Sequence, residues 1–406
     1  MPPPNALTDL PKSPLPLSTP TRFQVRERTG KLVVPAVCIG SALAYFGPGS
    51  QPIWVAALIK NGLLTTSQIG WLASGELLLI AISTLAVSAW GLRLSPRRVA
   101  VAAASLVAIA NAVAMIPAVE AVVLGRLLSA ISMGALLACT TGVAARRRDA
   151  QRVFALTLGA ALLLVGTAFF LSPNLVGRYG PAGLFALVAS IGVVAAAAAL
   201  LGLPDLVAEA ERATRVAGTS KLAPLLACLA LASVAAGIAT VATYVITIGN
   251  GLGFDGRTMA TALAMTTPLA VLGPVAAHLL GERAGLLRPV LLSLIVITID
   301  MFFLVSAASP VFLGVYMAVL SVAWMFCLPY AIAFVSRVDP SGRFASAAQA
   351  FVMIGAAAGP KLGSELIGFA HFQALATGAA PCVTVGILLF LAASGLAKKQ
   401  KMTNSL

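Results

Sequence analysis

Twelve apolar segments, each about 20 to 27 residues long, constrain this chain more than any other feature. They run near 32–58, 66–90, 99–118, 121–145, 152–172, 181–203, 222–248, 258–280, 288–307, 310–335, 344–369 and 375–396. At about 1.5 Å rise per residue, each can cross about 30 Å of hydrocarbon as a helix. Lipid offers no partner for backbone N–H and C=O groups, and a helix satisfies them all within one segment. The sequence is therefore read as an all-α membrane protein with twelve transmembrane helices.

Composition agrees. Hydrophobic residues make up 59% of the chain and charged residues 10%, with a mean hydropathy of +0.98. Soluble domains carry about 25% charged residues, so hydrocarbon must be this chain's main solvent. A net charge of +14 and a pI of 10.2 would point a soluble protein toward nucleic acid. Here the basic residues sit in short loops, where membrane topology accounts for them, and no nucleic-acid partner is expected. Cys38, Cys139, Cys228, Cys327 and Cys382 stand singly within apolar segments, so neither disulfides nor a metal site is expected. The two histidines, His278 and His371, are isolated, and there is no phosphate-binding loop motif and no Asp-rich motif. Direct ATP drive and membrane-embedded transferase chemistry are disfavoured on that ground, and no cofactor is expected.

Of the 27 Lys and Arg residues, all but five fall on one side of the stack. Lys60, Arg178 and Arg257 fall on the other, and Arg126 and Lys361 lie inside apolar segments. Short loops alone keep the bias, through Arg93, Arg97, Arg98, Arg146, Arg147, Arg148, Arg152, Arg283, Arg288, Arg337 and Arg343. Basic loops stay in the cytoplasm, so both termini are expected there. Residues 1–31, proline-rich and bearing Arg22, Arg26, Arg28 and Lys31, read as a disordered basic tail. Apolar character continuing to Leu58 favours an uncleaved first helix over a signal peptide. The polar segment 204–221, with Asp205, Glu209, Glu211, Arg212, Arg215 and Lys221, divides the chain into six-helix halves at 32–203 and 222–396. Residues 397–406 form a second cytoplasmic tail.

The loop after helix 2 reads Trp90-Gly91-Leu92-Arg93-Leu94-Ser95-Pro96-Arg97-Arg98, and that after helix 8 reads Gly281-Glu282-Arg283-Ala284-Gly285. The first keeps a Gly and a basic ending but has no Asp; the second keeps an acid-Arg-x-Gly core. With Arg126 and Gly134 on helix 4, these loops resemble the signatures of the major facilitator superfamily of secondary transporters. Helix 11 carries Gly355-x-x-x-Gly359-Pro360-x-x-Gly363, similar to that family's antiporter motif, which belongs on helix 5 and is missing there. The resemblance spans roughly residues 32–396. It implies two pseudo-symmetric six-helix bundles, a bacterial-type cytoplasmic (inner) membrane, a functional monomer, and alternating access around a cavity lined by helices 1, 4, 7 and 10.

Charges within spans are costly unless paired or hydrated, which makes them functional candidates. There are five: Glu76, Arg126, Asp300, Lys361 and Glu365. Glu76 and Arg126 enter from the same face at depths that allow a pair, which either switches a proton on Glu76 or simply fixes two helices together. Lys361 and Glu365, one turn apart after the Gly-Pro step, either hold and tune an anionic solute group or neutralise each other. Asp300, on a peripheral helix, reads as a structural polar contact.

Helix 1 contains Phe46-Gly47-Pro48-Gly49-Ser50-Gln51-Pro52, which cannot sustain a regular helix. Irregular backbone at membrane depth is tolerated where it lines a cavity. Phe46, Gln51 and Trp54 are therefore candidate solute contacts, together with Tyr244 on helix 7 and Trp324 and Tyr330 on helix 10. Trp71 reads as a membrane-interface residue. Arg97, Arg98, Glu282, Arg283, Asp339 and Arg343 are candidates for cytoplasmic gate loops, as against ordinary solvated loops. The sum is a secondary active transporter for a small organic solute, aromatic or anionic, coupled to protons and directed inward. Alternatives are a proton-antiport exporter of hydrophobic drugs or metabolites, a membrane-embedded lipid-modifying enzyme, and a non-transporting sensor.

Overall fold

The computed structural model describes residues 30–90, 95–145, 147, 150–205, 221–281, 283–339, 343–370, 372 and 374–404. Among them are fifteen α-helices, one 3-10 segment and no strand. In chain order these are α1 (Gly30–Gly49), α2 (Gln51–Lys60), α3 (Thr66–Trp90), α4 (Pro96–Ala114), α5 (Val119–Ala145), α6 (Ala150–Tyr179), α7 (Pro181–Gly202), α8 (Leu222–Ala242), α9 (Val245–Gly251) and α10 (Gly256–Thr266). Then come the 3-10 segment Thr267–Val271, α11 (Leu272–Leu280), α12 (Leu287–Leu304), α13 (Pro310–Val338), α14 (Arg343–Ala370) and α15 (Ala374–Asn404). Among the described residues, twelve stretches are long and apolar enough to cross a membrane. The basic tail residues 1–29, Arg93, Arg146, Arg148, residues 206–220 of the central loop, Glu282, His371 and the side chain of Arg343 lie outside the described residues.

The backbone departs from the expected spans where proline acts. The fifth helix does not stop at Ser172 but runs through Pro173 to Tyr179. Proline leaves the carbonyl of Phe169 without its helical donor, and the Ser172 hydroxyl donates to that carbonyl at 2.9 Å. The helix ends at Gly180, whose φ of 62° suits a residue without Cβ. The eighth span is not one helix; Pro268 tightens Thr267–Val271 into a 3-10 turn between α10 and α11. The break in the first span is narrower than its composition implies. Only Ser50 interrupts it, because Pro52 sits in the first turn of α2, where no N–H is needed. The seventh span breaks at the equivalent place, between α8 and α9 at Thr243 and Tyr244.

The helices from α1 to α7 pack among themselves, and those from α8 to α15 do likewise. Small residues set the closeness. A Cβ on Gly134 of α5 would stand 2.4 Å from the Ile80 carbonyl oxygen of α3, and one on Gly355 of α14 would stand 2.0 Å from that of Ala232 on α8.

The two bundles meet through α3 against α14, α6 against α10 and the 3-10 segment, and α2 against α9. Second span with eleventh and fifth with eighth are the same pairing seen from either half, as a two-fold pseudo-symmetry requires. The joining residues include Gly70, Ser74 and Gln51 on one side and Thr243, Lys361 and Ser364 on the other. All lie between mid-depth and the face opposite the termini. On that side the bundles are in contact.

Candidate functional site

The site is organised around one turn of α3, from Ala73 to Glu76. The Ala73 carbonyl accepts from Gln51 Nε2 at 3.1 Å, reaching across from the break in the first span. The Ser74 hydroxyl accepts from the backbone N–H of Lys361 at 2.9 Å, just past Pro360 in the eleventh span. The Glu76 carboxylate accepts from Arg126 Nη2 of the fourth span. One helical turn therefore touches three other spans, two in its own bundle and one across the seam.

Glu76 and Arg126 form an ion pair in which Glu76 is 0% and Arg126 1% exposed. The guanidinium carbon lies 4.7 Å from the centre of the Trp54 ring and 5.9 Å from that of Phe185, so two aromatic faces supplement the carboxylate. Trp54, Phe46 and Phe185 with Arg126 border a cavity of about 10 Å³ inside the first bundle. Satisfaction is incomplete: Glu76 Oε2, Arg126 Nε and Trp54 Nε1 make no hydrogen bond within the protein. Each unsatisfied buried polar group costs about 1–3 kcal/mol. The pair is held by the fold rather than relaxed within it.

Gln51 also meets the other bundle. Its Oε1 accepts from the Thr243 hydroxyl at 3.3 Å, so the breaks of the first and seventh spans are joined through their polar side chains. Next to Thr243, the buried Tyr244 hydroxyl donates to the Pro360 carbonyl at 2.9 Å. The Gly-Pro stripe explains this approach: a Cβ on Gly363 would meet the Tyr244 ring at 2.7 Å.

Lys361 and Glu365 are ion-paired along α14 and lie at the seam with α3. Lys361 Nζ stands 4.7 Å from the centre of the Trp71 ring and 3.4 Å from Ser67 Oγ, both on α3. Trp71, expected to be only an interfacial anchor, is also 65% exposed. Asp300 is apart from these four charges, buried on α12 against α13 and α15, and its Oδ2 has no hydrogen-bond partner.

Tyr330 is buried and its hydroxyl bonds the carbonyls of Ala277 at 3.1 Å and Gly281 at 2.8 Å, capping the end of α11. Trp324 is half-buried on α13, the helix that also carries Tyr330. In the loops, Arg98 is exposed and pairs with Asp205 at 3.6 Å, while Arg97 is half-buried. Arg283 is exposed. Asp339 is buried and accepts the backbone N–H of Phe344 at 2.6 Å, fastening the start of α14. Ser67, Ser74, Thr243 and Asp205 carry no mark as site residues in one dimension, since hydroxyls and lone acids acquire meaning only from what faces them.

Known proteins place this architecture. A solved nucleoside transporter, NupG, superposes with a TM-score of 0.70 at 16% identity, over 89% of this chain and 99% of its own. A peptide transporter of the POT type gives 0.68 at 13% identity, covering 90% and 95% respectively. A D-xylose–proton symporter gives 0.68 at 13% identity, covering 88% and 96%. At such identities the likeness is one of fold. No curated protein matches by sequence. The sequence profile of the Major Facilitator Superfamily matches residues 37–360, most of both bundles, and the chain belongs to that family of membrane transporters.

Proposed function

We propose that this transporter is a proton-coupled importer of a small organic solute carrying an anionic or aromatic group. The observation that carries the reading is the sealed Glu76–Arg126 pair, with polar atoms left unsatisfied, one helical turn from the inter-bundle seal. A buried carboxylate held by a cation can take up a proton when that cation moves. Glu76 is therefore the proton acceptor and Arg126 the group a solute anion draws away. Gln51, Phe46 and Trp54 would meet the solute as the first span straightens or bends at Ser50, and Tyr244 would do so from the seventh span. Trp324 supplies an aromatic face on the tenth span.

Basic loops mark the side of the termini as cytoplasmic. The membrane is a bacterial-type cytoplasmic membrane, and the conformation, closed opposite the termini, is the inward-facing one. Lys361, Glu365 and Trp71 act at the outer closure. Asp300 is an intramembrane acid outside that relay, and the arginines at 97, 98, 283 and 343 with Glu282 and Asp339 belong to the inner gate. The transporter works as a monomer, with protons and solute as its partners and no cofactor. An exporter exchanging protons for hydrophobic compounds is the second reading, favoured by the Gly355–Gly363 stripe, which here packs α14 onto α8.

Purified protein in liposomes with an imposed pH gradient tests both readings against a panel of aromatic acids, vitamins and hydrophobic drugs. Gradient-driven accumulation of an anionic or aromatic solute is expected. Flux that ignores the gradient for every class rejects the coupling.

A further inference from the structure

On the face opposite the termini, a pocket of about 490 Å³ opens where the two bundles meet. Ala56, Ile59 and Lys60 of α2 line it from the first bundle, and Thr247, Asn250, Gly251, Ile367 and Phe372 from the second. Its size falls within the range of small-molecule sites, and its lining follows their pattern of apolar walls with a few polar groups. It is distinct from the α3 site, sharing no residue with it. Among the described residues, Lys60 has no ion-pair partner and the side chains of Thr247 and Asn250 make no hydrogen bond. Lys60 and Asn250 are exposed and Thr247 is half-buried, so three polar side chains line one cavity with no side-chain partner among the described residues, and the only charge in the lining is positive.

We propose that this pocket binds a small amphipathic organic anion, and that binding holds the opposite face of the transporter shut. Lys60 pairs with the anionic group at the rim. Asn250 and Thr247 donate to it or to a neighbouring polar atom. Ile59, Ile367 and Phe372 receive a flat or branched apolar body. The lining comes from both bundles, and α2 packs directly on α9. Opening that face separates α2 from α9 and Lys60 from Asn250, so the complete pocket exists only in the closed state. A ligand that binds one state shifts the equilibrium toward it. An anion of this class, added on that side, therefore inhibits turnover without competing at the α3 site.

The test uses the full chain in phosphatidylcholine nanodiscs, with Ala56→Cys as reporter and 2-naphthoate as the probe. Labelling by a membrane-impermeant maleimide is measured after subtracting the parent protein's reaction. Naphthoate is expected to slow labelling by about the factor 1 + [L]/Kd, the neutral 2-naphthamide to slow it much less, and Lys60→Gln to abolish the protection. Spin labels at Asn61→Cys and Gly256→Cys, one on each bundle's rim, should report a shift toward the short separation with naphthoate, lost in Lys60→Gln. No protection, equal protection by the amide, or protection unchanged in Lys60→Gln overturns the proposal. So does protection that follows added phosphatidylglycerol without naphthoate, which would give Lys60 to lipid headgroups. None of these readouts needs a proton gradient, so they stand or fall apart from the coupling reading.

Discussion

Glu76 and Arg126 face each other across the second and fourth spans, both sealed from solvent, with Trp54 stacked on the guanidinium. Removing one partner of a buried pair leaves an uncompensated charge and costs about 3–5 kcal/mol. Glu76→Gln, which leaves a guanidinium that cannot shed its charge, should therefore lower the thermal midpoint more than Arg126→Gln, after which the lone Glu76 carboxyl can take up a proton and become neutral. The double variant should lose less than the sum of the two. In liposomes, Glu76→Gln is expected to abolish uphill accumulation while keeping downhill exchange. Normal uphill transport in that variant would remove Glu76 from the coupling site.

Lys361 is partly exposed, so its ion pair with Glu365 contributes about 0–1 kcal/mol, and its contact with Trp71 about 0.5–1 kcal/mol. The pair with Glu365 lies within α14 and survives opening, so Lys361→Met should shift the closure only by the lost contact with α3, about 0.5–1 kcal/mol or roughly a two- to fivefold change in population. A cysteine at the buried Thr243 then becomes about that much more reactive toward an impermeant reagent. Unchanged reactivity would take Lys361 out of the seal and leave its role to solute binding.

Tyr330→Phe separates two roles for one residue. Deleting the hydroxyl takes a donor from the Gly281 carbonyl, while that of Ala277 keeps the Gly281 N–H, at a cost of about 1–2 kcal/mol. A lower thermal midpoint with an unchanged KM is the expected result. A raised KM at unchanged stability would instead place Tyr330 in contact with solute.

Gly355→Val should abolish the monodisperse protein peak in size-exclusion chromatography. The clash is with the Ala232 backbone, which has no flexible end to give way. Gly368→Ala, with nothing within 4 Å of the added carbon, should behave as the parent does.

Orientation is checked by labelling Arg97→Cys and Arg178→Cys in intact cells. Only the cysteine at 178 should react with an impermeant maleimide, and the reverse result would invert every assignment of inside and outside.

Much of this arrangement was written in one dimension. Membrane burial depends on long runs of apolar side chains, and charge bias depends on counting, so twelve spans, two halves and the odd intramembrane charges can be read directly. Proline and glycine likewise announced the break near Ser50. Their energetic outcome was less legible. Pro173 was absorbed because Ser172 supplies a donor, and Pro268 was not absorbed as α-helix but as a 3-10 turn. Both results depend on neighbours rather than on proline itself.

The sequence by itself determined that the chain spans a membrane twelve times and isolates Glu76, Arg126, Asp300, Lys361 and Glu365 within it. Only the tertiary structure decided that Arg126 meets Glu76 between two aromatic faces, that Lys361 clasps α3 through Ser67, Ser74 and Trp71, and that Gln51 reaches Thr243 across the seam. Apolar burial is a property of each segment alone and survives in composition. A polar contact between spans depends on the rotation and depth of two helices at once, and those are set by small-residue packing along their whole lengths.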